Sequence, residues 1–146
     1  MASNKQRLRI QSKQTPVSHT KTGPKSILVV EDEPVIAKLL FEILTRRLGY
    51  KTETAATGEE AVAKLTRNGY DAILLDIRMP MLNGRDLFEL LRTMNPDLPE
   101  RVIFCTGDVM NPETQAFLDK HKNLCLTKPF TLHDVESVLD AFFSRR

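Results

Sequence analysis

Ser26-Ile-Leu-Val-Val-Glu31 is apolar at every interior position rather than at alternate ones. A strand with one face in water alternates, so an unbroken run predicts a central parallel strand covered on both faces. Tyr70-Asp-Ala-Ile-Leu-Leu-Asp76 and Arg101 to Cys105 repeat the pattern. Tyr50 to Ala55 and Asn123 to Leu126 read as two further strands.

Helical patterns lie between these runs. Val35, Ile36, Leu39, Leu40, Ile43, Leu44 and Leu48 recur at spacings of three and four, with Pro34 in the first turn and Gly49 as the stop. Thr57-Gly-Glu-Glu60 is a capping box opening a second helix that ends at Asn68-Gly69. Asn83 to Met94 is a third. Pro96 and Pro99 break the chain, and Asn111-Pro112 starts a fourth helix running to about Lys120. Thr131-Leu-His-Asp134 caps a last helix bearing Val135, Val138, Leu139, Phe142 and Phe143. Alternating β and α units imply an α/β fold, a parallel sheet with helices on both faces.

The 146 residues suit one domain. No run of eighteen apolar residues suggests a membrane span, and the N-terminus lacks the apolar stretch of a secretory signal. Residues 1–25 carry Lys5, Arg7, Arg9, Lys13, Lys21 and Lys25 with no acid, whereas the remainder holds 15 basic and 19 acidic groups. That first segment has too few large apolar residues to offset its ordering entropy, so disorder is expected there. It reads as a linker, as a basic arm for nucleic acid or an acidic partner, or as a transit peptide. Folding is expected over 26–143, with 144–146 a tail. The acidic balance of the folded part gives no reason to expect nucleic-acid or membrane contact. Cys105 and Cys125 read as buried, inert thiols of a cytoplasmic protein. His133, in a cap turn, reads as surface.

In a parallel sheet, ligands collect at the carboxyl ends of the strands. Glu31 and Asp32 follow the first run, Asp76 ends the third, and Thr106 and Lys128 follow the fourth and fifth. Three carboxylates at one edge repel one another. Two such charges about 5 Å apart in an effective dielectric near 20 cost roughly 3 kcal/mol. The set therefore calls for raised pKa values or a cation, and an oxygen-only donor set suits Mg²⁺. His19, His121 and His133 are scattered, which gives no zinc-type cluster. A carboxylate beside Mg²⁺ and an ammonium is equipped to attack a phosphoryl group.

Taken singly, each residue has a plainer explanation. The acids at 31–33 suit a helix N-terminus, and that reading is kept for Glu33. Asp76 suits a turn, Thr106 a local hydrogen bond, and Lys128 a solvated surface. These explanations must all hold together at one sheet edge, which weighs against them. A flavin-binding module is disfavoured because Glu31-Asp32-Glu33 would repel its phosphate. An aspartate-based phosphohydrolase is disfavoured because Arg78 stands where its second Asp belongs.

ILVVEDE (27–33), ILLDIRMPMLNG (73–84), FCTGD (104–108) and LTKPF (126–130) together resemble the receiver domain of two-component response regulators and hybrid histidine kinases. The resemblance implies a flavodoxin-like, doubly wound sheet of five strands in the order 2-1-3-4-5 with five helices. It implies Asp76 as phosphoacceptor, Glu31 and Asp32 as the acidic pair for Mg²⁺, and the Arg78 backbone carbonyl as a further metal ligand. Thr106 would be the switch hydroxyl and Lys128, before a cis proline, the phosphoryl-binding amine. The expected activity is that of a switch, not a turnover enzyme. Its expected partners are a histidine kinase or histidine phosphotransfer domain, and a downstream protein on the face of helix four, strand five and helix five. The chain would be a stand-alone regulator or the receiver of a hybrid kinase. The alternative is a receiver-like interaction module that is not phosphorylated. Two departures stand out: Glu31 replaces the commoner Asp, and Cys125 occupies a position where the family usually has an aromatic or histidine. Arg78 and Asp108, each two residues beyond a site residue, are expected to pair over the site and obstruct water.

Overall fold

The computed structural model describes residues 23–79 and 84–145. Nearly all of the basic N-terminal segment, the helix start expected at Asn83, and Arg146 lie outside these residues. Five strands form one parallel sheet in the order β2-β1-β3-β4-β5. They are β1 (Ser26–Val30), β2 (Lys51–Ala55), β3 (Ala72–Asp76), β4 (Val102–Thr106) and β5 (Cys125–Thr127). The helices are α1 (Pro34–Glu42), α2 (Gly58–Arg67), α3 (Gly84–Met94), α4 (Pro112–His121) and α5 (Leu132–Ser144), with a 3₁₀ turn at Leu98–Arg101 before β4.

The three unbroken apolar runs are the three inner strands, and every residue of β1, β3 and β4 is buried. Strand side chains point alternately to opposite faces, so each inner strand feeds two cores. Leu28, Val30, Ile73, Leu75 and Phe104 meet Ala61, Leu87, Phe88 and Leu91 from α2 and α3. Ile27, Val29, Leu74 and Ile103 meet Leu40 and Leu44 from the α1 region, and Val135, Leu139 and Phe142 from α5.

Local signals act where the sequence puts them, with three differences. The Asn111 side chain accepts from Glu113 N and Thr114 N, and Thr131 with Asp134 closes a reciprocal capping box. At Thr57 the hydroxyl accepts from Glu60 N, but the Glu60 carboxylate accepts in return from Ala56 N, one residue before the cap. The first helix does not stay α-helical to Gly49. Ile43–Arg47 forms a π turn, with Leu48 N donating to Ile43 O at 3.0 Å. Leu40, Ile43 and Leu44 are buried, whereas Val35 is 80% and Leu39 47% exposed, so the apolar pattern is wider than the buried stripe. Finally, Cys105 and Cys125 are not alike. Cys105 is buried on the α1/α5 face, and burial pushes its thiol up to about 12. Cys125 is only half-buried and packs on the opposite face. The register pairs it with Phe104 rather than Cys105.

Candidate functional site

β1, β3, β4 and β5 run parallel, so their carboxyl ends share one edge. Glu31 and Asp32 follow β1, Asp76 ends β3, Thr106 ends β4 and Lys128 follows β5. Ligand atoms of Glu31, Asp32 and Asp76 lie within 4.8 Å of one another. Lys128 is tied to β4 through its backbone, with N–H to Thr106 O at 2.8 Å, and the Lys128–Pro129 peptide is cis. Its ammonium lies 2.8 Å from Glu31 Oε1 and 3.3 Å from Asp76 Oδ2. Four of the five predicted side chains, Glu31, Asp32, Asp76 and Lys128, are therefore brought together, and Thr106 ends the neighbouring strand at the same edge.

Backbone groups orient the acids. Glu33 N donates to Glu31 Oε2 at 3.2 Å, and Arg78 N donates to Asp76 Oδ1 at 3.1 Å. Glu33 itself stands at the N-cap of α1 without a side-chain capping bond. The Thr106 hydroxyl accepts from Asp108 N at 3.0 Å, so the local hydrogen bond and the site position coexist. The Arg78 guanidinium reaches Asp108 Oδ2 at 2.5 Å, the pairing expected from sequence.

Glu31 and Asp76 are almost wholly buried, which penalises their charged forms. Burial raises the pKa of both; for Glu31 the charge of Asp76 adds to the effect, and for each Lys128 opposes it. Burial works against the ammonium of Lys128 too, but the bond to Glu31 and the charge of Asp76 outweigh it and hold its pKa above the ordinary lysine range.

The residues fit a small hard cation. The donors are all oxygens, as Mg²⁺ prefers. One lysine charge faces three carboxylates, which leaves acidic oxygens in excess of the ammonium that meets them. Arg78 directly extends the Asp76 turn, and its side chain points away to Asp108.

Two features escaped the sequence reading. Glu31, expected only as a metal acid, is the closest carboxylate to Lys128. Gly84, the last residue of the ILLDIRMPMLNG run, starts α3 against the Asp76 turn: a Cβ there would collide with the Asp76 carbonyl oxygen and sit 2.6 Å from Ile77 Cα. The only sequence signal for it is a glycine at a helix start.

A sheet of this order with an acid trio and an amine at its carboxyl edge defines a CheY-like receiver. The family model for the response regulator receiver domain matches residues 27–140, and the chain belongs to that family. The chain is 32% identical over 120 residues to the transcription factor SKN7 of Saccharomyces cerevisiae, covering 82% of this chain and 19% of that protein. It is 35% identical over 119 residues to the sensor histidine kinase RcsC of Escherichia coli, covering 82% of this chain and 12% of that protein. The chain thus spans less than a fifth of the length of these relatives. The receiver domain of the sensor histidine kinase PA1611 from Pseudomonas aeruginosa, solved with a magnesium ion coordinated in its active-site cleft, superposes with a TM-score of 0.72 at 30% identity, covering 84% of this chain and 99% of that one. Among the described residues, no helix is long and apolar enough to cross a membrane.

Proposed function

We propose that Asp76 accepts a phosphoryl group from the phosphohistidine of a histidine kinase or phosphotransfer domain, in a Mg²⁺-dependent reaction, and that the acyl phosphate alters partner binding. An Asp76 carboxylate oxygen attacks phosphorus. The bond from phosphorus to the donor's imidazole nitrogen breaks, its electron pair stays on that nitrogen, and a P–O bond to Asp76 forms. Lys128 binds one phosphoryl oxygen, giving up its contact with Asp76 Oδ2. The Thr106 hydroxyl turns from accepting the Asp108 N–H to donating to a second oxygen. Glu31, Asp32, Asp76 and the Arg78 carbonyl are the residues that would hold Mg²⁺, which supplies the positive charge that offsets the acids and the phosphoryl oxygens.

The observation that carries this reading is the convergence of three acids within 4.8 Å of one another beside an ammonium that reaches Asp76. The domain acts as a switch that assists its own modification, in the cytoplasm, and signals through the α4-β5-α5 face. The complete set of acids, hydroxyl and amine weighs against an interaction module that is not phosphorylated. Titration with beryllofluoride and Mg²⁺, followed by amide NMR, tests it. Saturable shifts at residues 76–78 and 106–108 that need both reagents are expected; shifts absent, or unchanged when Mg²⁺ is omitted, would refute the reading.

A further inference from the structure

Position 125, where the resemblance implies an aromatic or histidine, holds a half-buried thiol. The aromatic rings lie elsewhere. Phe104 precedes Thr106 by two residues on β4, so the strand period puts both side chains on one face. Its buried ring lies 5.0 Å from Phe88 of α3 and 5.1 Å from Phe117 of α4, edge to face in both cases. Four residues further along α4, the His121 ring sits 4.6 Å from Phe117 and 4.7 Å from Phe88. Cys125 packs against this same cluster.

Beyond these rings, Leu118 is the other apolar residue of α4 packed against that core. Thr114 is the helix's one buried residue, and that hydroxyl has no hydrogen-bond partner among the described residues. Its N-cap Asn111 lies in the loop that leaves Thr106, and Asn111 N bonds back to Asp108 O at 3.2 Å. Movement at Thr106 therefore reaches α4 by two routes, the loop at its N-terminus and the Phe104–Phe117 contact at its middle. The His121 side chain is 7% exposed, with Nδ1 3.3 Å from Arg92 and Nε2 3.6 Å from Glu89, both on α3.

We infer that the Phe104–Phe117 contact couples the carboxylate edge to α4, and that His121 latches α4 to α3, replacing a rotating ring on β5. The coupling rests on the phosphoacceptor reading above and specifies its conformational output. α4 has two arrangements, seated with Phe117 against Phe104 and Phe88 and His121 against Phe88, and unseated; recruitment of Thr106 to the phosphoryl group biases it toward the second.

Hydrogen exchange of the amides of residues 116–121, measured on the full chain with and without beryllofluoride and Mg²⁺, tests this. In wild type the adduct should speed exchange there about tenfold. Phe117→Leu should still form the adduct, show that faster exchange already without it, and respond no further. Phe143→Leu, on the opposite face, should respond like wild type. His121→Gln serves the same purpose if Phe117→Leu does not fold. An adduct that leaves α4 exchange unchanged in wild type, or a Phe117→Leu response as large as wild type, overturns the coupling alone. Absence of an adduct in wild type overturns the phosphoacceptor reading and the coupling with it.

Discussion

Arg78 and Asp108 are joined by a 2.5 Å ion pair, and the backbone N–H of each donates to a side chain of the site. Arg78 N donates to Asp76, and Asp108 N donates to Thr106. The guanidinium is 64% and the carboxylate 30% exposed, so water screens the pair and its share of folding stability is small, about 0.5 kcal/mol. If Asp76 carries a phosphoryl group as proposed, the pair is expected to act on access of water to that group. Asp108→Ala is expected to shorten the lifetime of the acyl phosphate by roughly tenfold, equivalent to about 1.4 kcal/mol on the hydrolysis barrier, with little change in melting temperature. Phosphate release after rapid removal of donor measures it; an unchanged lifetime contradicts the covering role.

Gly84 faces the backbone of Asp76 so closely that a methyl group has no room, and the obstacle is main chain rather than a flexible side-chain tip. Gly84→Ala should cost about 1–3 kcal/mol, the usual penalty for overpacking. Gly69→Ala, which meets nothing within 4 Å, is the control and should be nearly neutral. Urea denaturation of the two variants decides; equal midpoints would show that the α3 start yields freely.

His121 offers a pH test away from the carboxylates. Burial holds its imidazole below the ordinary range; the charges of Arg92 and Lys120 add to this, and Glu89 opposes it. The unfolded chain then binds the proton first as pH falls. The stabilising contribution is complete above the ordinary imidazole range near 6.5 and is lost as pH drops through the lower folded-state value. His121→Gln should therefore flatten the loss of stability between about pH 7 and pH 5. An identical slope in both proteins would mean the histidine titrates as if exposed.

The acid set should respond to a divalent ion and to loss of a charge. Mg²⁺ is expected to raise the melting temperature of wild type more than that of Asp32→Asn, because binding to the folded state alone stabilises it. In chelator, Asp76→Asn should melt higher than wild type at neutral pH, since the mutation removes one of the clustered carboxylates. Equal Mg²⁺ shifts in wild type and Asp32→Asn would place the ion elsewhere.

Much of this was legible in the chain itself. Continuous runs such as Ser26–Val30 and Ala72–Asp76 can only be buried on both faces, and polar residues at their ends must then meet at one edge. The helix starts at Asn111 and Thr131 were readable because capping is local chemistry. What stayed hidden depends on three-dimensional register. The opposite faces of Cys105 and Cys125 follow from Phe104 pairing with Cys125. The Glu31–Lys128 contact depends on side-chain reach across the sheet edge, and the π turn at Ile43–Arg47 leaves no mark in an apolar spacing that continues through it.

The most direct test is intact-mass analysis after incubation with acetyl phosphate, with peptide mapping of the adduct. Wild type is predicted to gain the mass of one phosphoryl group only when Mg²⁺ is present, at Asp76, and Asp76→Asn to gain nothing. No adduct on wild type, or an adduct that persists in Asp76→Asn, would contradict the assignment of this carboxylate as the phosphoryl acceptor.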